Sequence, residues 1–251
     1  MKKRIFIALF AIAALFALRE DASAANKFDA AMARWVRAET YHNDMGGQFT
    51  VRATLYTKDY IESLMESEAE KNLWTASELE DYKYNFLKEL KLEDNVAIYL
   101  ELEENGPTAH MAPFNEMVDL WIGNKKYGAS DFDPRFNMPL LGKRDGMVYF
   151  PRFDEKTGES LFKKKLTLRF EMNPAASPVL DNRSVRILWD VNPENIGAPG
   201  SGTAANRIEV DRLIRRMERL NGERADLEAQ LDAKKREIDE VRSRIEDIQG
   251  K

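Results

Sequence analysis

The stretch Gln48-Phe-Thr-Val-Arg-Ala-Thr-Leu-Tyr-Thr57 decides the fold prediction. Its odd-numbered positions from 49 to 55 are apolar, whereas the even-numbered positions carry Thr, Arg or Tyr. This period of two is typical of a strand with one buried face. Similar alternation recurs at 96–102, 166–172 and 185–191, and shorter apolar segments lie at 117–122 and 147–150. These segments predict about six strands, with few helices between the later ones.

Two turn signals separate these strands. Asn105-Gly106-Pro107 is expected to end the strand at 96–102, and Asp145-Gly146 is expected to form a turn before 147–150. Both are sequences that tight turns favour. The later strands would therefore pair as neighbouring antiparallel segments.

Helical patterns flank the first strand. The segment 26–41 has apolar residues three and four positions apart, which predicts a short helix. Thr57 is a candidate N-cap for a second helix, and Ser77 to Glu80 match a capping box that opens a third. The predicted fold class is α+β: a mostly antiparallel sheet or sandwich with a helical insertion, followed by a C-terminal coiled-coil helix.

The N-terminal residues 1–24 resemble a secretory signal peptide. Basic residues precede an apolar run of 14 residues at 5–18, and small side chains at Ala22 and Ala24 fit a cleavage site between Ala24 and Ala25. A spanning helix needs about 20 apolar residues. We therefore predict an exported chain, periplasmic rather than extracellular, with no stable membrane anchor after cleavage.

Composition limits the partners and the chemistry. The net charge is −5, and an acidic surface repels nucleic acid, so no nucleic-acid partner is expected. The chain has no cysteine, which removes thiolate metal sites and disulfides. The predicted organisation is a signal peptide at 1–24, a globular β-rich domain at 25–191, a flexible linker at 192–206 and a coiled-coil helix at 207–251.

The C-terminal segment has a heptad pattern of apolar residues, called the seam below. Apolar groups occupy ten of the twelve a and d positions over about six heptads, with Arg224 and Lys234 at the other two. The predicted coiled-coil interface consists of Val210, Leu213, Met217, Leu220, Leu227, Leu231, Ile238, Val241, Ile245 and Ile248. Such a narrow seam, surrounded by charged faces, requires a partner helix.

Several arrangements of this helix are compatible with the seam. A homodimer is the prediction, because Leu at early d positions favours two strands and the basic seam residues reach water more easily in a dimer. A trimer and a different coiled-coil protein are the next alternatives. An intrachain hairpin at Asn221-Gly222 and a solvated single helix are also considered, but the heptad phase continues across Gly222.

No motif for catalysis, cofactor binding or metal binding stands out, so no catalytic, cofactor or metal residue is assigned. His42 and His110 lack a second His at ligand spacing, and 131–135 lacks the Gly and Glu of a calcium loop. Ser201 lies inside the predicted linker, away from any nucleophile elbow. The adjacent pair at 103–104 suits solvated charges better than glycoside hydrolysis.

The four tryptophans are the remaining candidates for a functional role. Trp35 and Trp189 fall on apolar faces and are predicted in the core, whereas Trp74 and Trp121 are candidates for stacking on a ligand. The predicted function is an exported, non-catalytic interaction or assembly protein of the bacterial envelope. The alternative is a carbohydrate- or peptide-binding module made multivalent by the coil, and a periplasmic hydrolase comes third.

Overall fold

A computed structural model describes residues 27–197 and 203–249 of the chain. The predicted signal peptide, its cleavage site at Ala24 and Ala25, and residues 198–202 of the predicted linker lie outside the described residues.

The protein is an α+β structure with two antiparallel sheets and a long C-terminal helix, which confirms the predicted class at that level. The helices are α1 Lys27–Ala33, α2 Lys58–Asn72, α3 Ala76–Glu89, α4 Phe114–Met117 and α5 Thr203–Gln249. The strands are β1 Val36–His42, β2 Gln48–Leu55, β3 Asn95–Ala109, β4 Val118–Ile122, β5 Lys125–Gly128, β6 Asp131–Phe132, β7 Leu140–Pro151, β8 Leu166–Met172 and β9 Val185–Val191.

The strands form two sheets that share one core. The first sheet has the order β1-β2-β3-β7-β6 and the second has the order β5-β4-β8-β9. Phe150 of the first sheet meets Phe170 of the second edge to face at 6.3 Å between ring centroids. Trp35 and Trp189 are both buried, as predicted, and the Trp189 indole donates a 3.0 Å hydrogen bond to the Trp35 carbonyl. Apolar burial between the sheets is the main stabilising term of the domain.

The register of β2, β3 and β7 assigns their side chains to two faces. Ala53 pairs with Leu100, and both are fully buried on the core face. One residue away, Arg52 pairs with Glu101 on the other face, which carries the cleft described below. The alternation in β2 that predicted this strand is therefore confirmed.

The prediction for 26–41 is half wrong. The helix ends at Ala33, and Val36–His42 is strand β1. The apolar spacing at Met32, Trp35 and Val36 suited a helix, but pairing with β2 satisfies the backbone of this segment. Tertiary pairing thus outweighs the local helical pattern.

The Asp145-Gly146 turn prediction is also wrong, because both residues lie inside the continuous strand β7. Gly146 is needed there for close packing: a Cβ at this position would come within 2.7 Å of the Asp133 Cβ. Likewise β3 continues to Ala109 beyond Gly106, with a shift in its pairing between Glu104 and Ala109. Glycine marks a close approach in one case and an irregular strand in the other.

The capping box of α3 lies two residues before the predicted one. Thr75 is the N-cap, its hydroxyl accepts the Glu78 N–H at 3.3 Å, and Glu78 accepts the Thr75 N–H at 2.9 Å. Thr57 caps α2 as predicted and accepts the Tyr60 N–H. Both caps satisfy N–H groups that a helix start leaves without intrahelical partners.

The first part of the segment predicted as a linker packs on the domain. Residues Pro193–Asn195 form a 3-10 helix, Ile196 is buried, and Asn195 donates a 3.1 Å hydrogen bond to Asp59. Helix α5 begins at Thr203, within the same predicted segment.

Thr75→Ala should lower the free energy of unfolding by about 1 kcal/mol, because it removes the N-cap of α3. Ser77→Ala is the matched control and should have little effect, since Ser77 lies inside the helix. Urea denaturation of both variants measures the difference. Equal losses would contradict the observed capping box.

Candidate functional site

The seam residues of α5 lie on the surface of the protein. All ten predicted interface side chains are 46 to 75% exposed. Of the sixteen large apolar side chains exposed in the described part of the chain, eleven lie on α5, including Ile214. Large exposed apolar patches are unusual on soluble monomers, which makes this seam a candidate interaction surface.

The opposite face of α5 is attached to the globular domain. The Tyr84 hydroxyl of α3 donates a 3.1 Å hydrogen bond to Asp211, and the Arg207 guanidinium lies 3.9 Å from the Tyr84 ring centroid. Arg212 is only 9% exposed, stacks 4.2 Å from the Phe153 ring centroid and pairs with Glu209. These are cation–π and charge-assisted contacts, so a polar face holds the helix.

Two more arginines extend this junction. Arg215 pairs with Glu93 at 2.9 Å, and Arg216 donates a 3.0 Å hydrogen bond to the Thr157 carbonyl. Arg216 also lies against Gly158, whose φ of +67° and lack of a Cβ leave room for the guanidinium. Helix α5 is therefore oriented by contacts with α3, the turn after Leu90 and the loop that follows β7.

This docking leaves the seam directed away from the domain. Asp211, Arg212 and Arg215 occupy b, c and f positions of the heptad, opposite a and d, whereas Arg207 and Arg216 occupy the flanking e and g positions. The contacts described above end at Arg216, and residues 217–249 extend about 50 Å further at 1.5 Å per residue. Val210 and Leu213 remain about half exposed even where the helix meets the domain.

A cleft of about 780 Å³ lies on the outer face of the first sheet. Its floor is formed by side chains of β1, β2, β3 and β7, and its walls come from α1, α2, α3 and the 3-10 helix Pro134–Asn137. Ligand pockets commonly have volumes of about 300–1,000 Å³. The cleft is therefore large enough for a small molecule or a few residues of a peptide.

One end of the cleft is lined by tyrosines. The rings of Tyr56 and Tyr60 lie 4.9 Å apart, with Tyr149 and Phe86 on neighbouring parts of the wall. Burial raises the pKa of Tyr60 and of Tyr149 to about 12, and burial raises the pKa of Tyr56 well above its usual value. These phenols are neutral at physiological pH and present aromatic faces and hydroxyl groups.

The other end of the cleft is charged. Glu101 and Asp145 are register partners on β3 and β7, and Tyr99 donates a hydrogen bond to Asp145. Burial, followed by the nearby Asp145, raises the pKa of Glu101, although Arg52 at 3.8 Å opposes this. Like charges placed opposite each other on neighbouring strands destabilise a sheet.

Arg135 and Asp133 form a paired group beside these carboxylates. The Arg135 Nη2 donates at 2.7 Å to Asp133 and at 2.7 Å to the Asp145 carbonyl. Burial tends to raise the pKa of Asp133, but the hydrogen bonds from Arg135 outweigh it and hold the pKa below its usual value. Asp133 also caps the 3-10 helix, so 131–135 forms β6 and this cap instead of a calcium loop.

The structure does not bring the remaining sequence candidates together. His42 and His110 are exposed. Trp74 packs against Tyr82, and Trp121 packs under Arg169, so neither lines the cleft.

The two adjacent carboxylates at 103–104 lie on different faces of β3. Glu103 lies on the outer face near Lys143, whereas Glu104 is buried and accepts a hydrogen bond from Ser177. The sequence reasoning missed the cleft, although Arg52, Tyr99 and Glu101 occupy the outward positions of predicted strands. These residues line a cleft only because residues of β7 and of the helices lie next to them in the folded protein.

Among residues 27–197 and 203–249, no group of three or more His, Asp or Glu side chains is placed to hold a metal ion. Within the same residues, no helix combines the length and the apolar content needed to span a bilayer. Comparison with protein-family models, with curated proteins and with solved structures finds no match to this chain. The fold and the contacts described above are thus the basis for any functional proposal.

Arg212→Ala should reduce the free energy of unfolding by about 1–2 kcal/mol, because it removes a buried stacking contact and leaves Glu209 without this pair. Arg219→Ala is the control, since the Arg219 side chain is 56% exposed and pairs only at 3.9 Å with Glu223. Urea denaturation at one fixed protein concentration compares the two. An unchanged Arg212→Ala variant would contradict the docked position of α5.

Glu101→Gln should stabilise the protein at pH 7. The folded state raises the pKa of Glu101, so its charge weakens the fold at neutral pH, and this loss disappears as the pH falls through the raised value. We expect a rise in Tm of about 1 °C at pH 7, because half-exposed charges contribute only a few tenths of a kcal/mol. The gain should shrink on acidification.

Thermal unfolding at several pH values measures this effect. Glu103→Gln is the matched control on the same face of β3 and should give no gain, since Glu103 pairs with Lys143 at 3.4 Å. A lower Tm for Glu101→Gln at pH 7 would show that its charge stabilises the fold.

Proposed function

We propose that this chain is a non-catalytic interaction protein that self-associates through the seam of α5. The observation that supports the proposal most is the exposure of the ten seam side chains on a helix whose opposite face is bonded to the domain. Helices gain most of their stability from packing one apolar face. A second copy of α5 would supply that packing.

The docking geometry favours a second copy over a hairpin or a lone helix. Because no a or d residue is among the docking contacts described above, two copies would join along a and d with their domains on the outside. Helix α5 runs through Asn221 and Gly222 without a break, so an intrachain hairpin at this point has no support.

The charges of α5 are compatible with pairing of like helices. In a parallel pair, Glu237 at g would face Arg242 at e and attract it, whereas Glu223 would face Glu228 and repel it. Arg224 and Lys234 in the seam are each more than 70% exposed at the side chain, and in a dimer they can extend sideways to water. We therefore propose a dimer, with a trimer as the alternative order.

The place of action is part of the proposal. The basic and apolar pattern at 1–24 supports export, and the leader type supports the periplasm of a bacterial envelope. Two acidic domains on one stalk would strengthen weak binding by either domain through avidity.

A second candidate function is ligand binding by the globular domain. The cleft of about 780 Å³, with tyrosines at one end and carboxylates at the other, favours it. In that case the helix would set the number of binding sites per assembly.

The double substitution Leu227→Asp and Leu231→Asp should convert the assembly to monomers, because it places two charges in adjacent layers of the seam. Light scattering on the chain from Ala25 onward measures the solution mass. The matched control is Ala225→Asp with Ala229→Asp, which adds the same charge to outward b and f positions and should leave the mass unchanged.

Two results would overturn the proposal. One is a monomeric mass for the parent chain at all concentrations tested. The other is loss of association in the control to the same extent as in the seam variant, which would assign the effect to charge alone.

A further inference from the structure

We propose that the cleft on the first sheet binds an organic cation, an ammonium or guanidinium group carried on an apolar body. The inference deepens the second candidate function above. It does not depend on the seam, because none of the residues that line the cleft belongs to α5.

The first step is the shape of the cleft. The charged end and the aromatic end of the cleft share one floor. Between them, Thr54, Tyr99 and Met147 lie next to one another on β2, β3 and β7. A ligand that reaches both ends must be amphipathic. Its apolar part would lie against the tyrosines and Phe86, and its polar part would lie over Glu101 and Asp145.

The second step is the balance of charge. Five carboxylates line the cleft, but only two guanidinium groups do: Asp29, Glu89, Glu101, Asp133 and Asp145 against Arg52 and Arg135. These carboxylates come from α1, α3, β3, β7 and the residue that caps the 3-10 helix. The lining therefore carries a net negative charge, which favours a cation over an anion.

The third step is the state of the two arginines. Arg135 already donates to Asp133 through Nε and Nη2, and it also donates to the Asp145 carbonyl. Arg52 lies 3.8 Å from Glu101. An anionic ligand would have to compete with these carboxylates, and Arg135 could bind it only by giving up its hydrogen bonds.

The fourth step is the aromatic wall. Tyrosine faces attract a cation within about 6 Å of the ring centroid. Tyr149 shows this contact within the protein itself, since Lys91 Nζ lies 5.2 Å from its ring centroid. Carboxylates next to neutral aromatic rings are the combination that recognises organic cations, and apolar burial of the ligand body adds affinity.

Calorimetric titration of the full predicted mature chain, 25–251, tests the inference with three probes of similar size. 2-Phenylethylamine is the cation, 2-phenylethanol is the neutral analogue and 3-phenylpropanoate is the anion. We expect the amine to bind about tenfold more tightly than either analogue, as one charge-assisted contact can provide.

Substitutions locate the binding site. Glu101→Gln and Asp145→Asn should each weaken binding of the amine by about fivefold or more, because each keeps the shape and removes a charge. Glu103→Gln, on the same strand and face but outside the cleft, should bind as the parent does. Circular dichroism confirms that each variant is folded.

The outcomes separate the two claims. No binding of the amine, equal binding of the alcohol, or an equal loss in Glu103→Gln would overturn the cation inference. Binding of the neutral alcohol that Glu101→Gln leaves unchanged would overturn it and still retain a ligand-binding cleft. A monomeric solution mass would affect only the assembly proposal.

The same ammonium chemistry occurs in free amines and in lysine side chains of peptides. Acetyl-Phe-Lys-amide therefore serves as a fourth probe. Tighter binding of this peptide than of the free amine would assign the site to basic peptides, and weaker binding would assign it to small amines. Either result supports an organic cation, provided that Glu101→Gln weakens it.

Discussion

The antiparallel register of β2, β3 and β7 is the constraint on which the rest of the molecule depends. It directs Ala53 and Leu100 into the core and directs their neighbours Arg52 and Glu101 into the cleft. Because side chains alternate with a period of two, a slip of one residue would exchange these faces. The core and most of the cleft floor are therefore built on the same three strands. The domain keeps Asp145 beside Glu101 although like charges oppose folding, which is typical of a functional site.

Helix α5 divides its roles between two faces. Arginines in the N-terminal turns of α5 contact Tyr84, Phe153 and Glu93 of the domain. The apolar residues of α5 face the solvent. This is the reverse of an ordinary surface helix, which buries its apolar stripe on its own domain. Our assembly proposal rests on this arrangement, in which the polar face is docked and the apolar face is exposed.

Sequence periodicity predicted the strands at β2, β8 and β9, the cap at Thr57 and the presence of a long C-terminal helix. It could not predict β1, because Trp35 and Val36 fit a helical spacing and only pairing with β2 makes that segment a strand. It took Gly146 as a turn residue, whereas the glycine makes room for Asp133. The cleft was out of reach for the same reason, since its carboxylates are distant in sequence and meet only through strand register.

The most direct test of the central claim is disulfide formation between copies, which the absence of native cysteine makes clean. In a parallel, in-register dimer, Leu227→Cys would bring two d-position sulfurs within bonding distance across the seam. Mild oxidation of the chain from Ala25 onward should therefore give a covalent dimer on a non-reducing gel, whereas Ala229→Cys at an outward f position should stay monomeric. A covalent dimer from both variants, or from neither, would contradict parallel, in-register self-association through this seam.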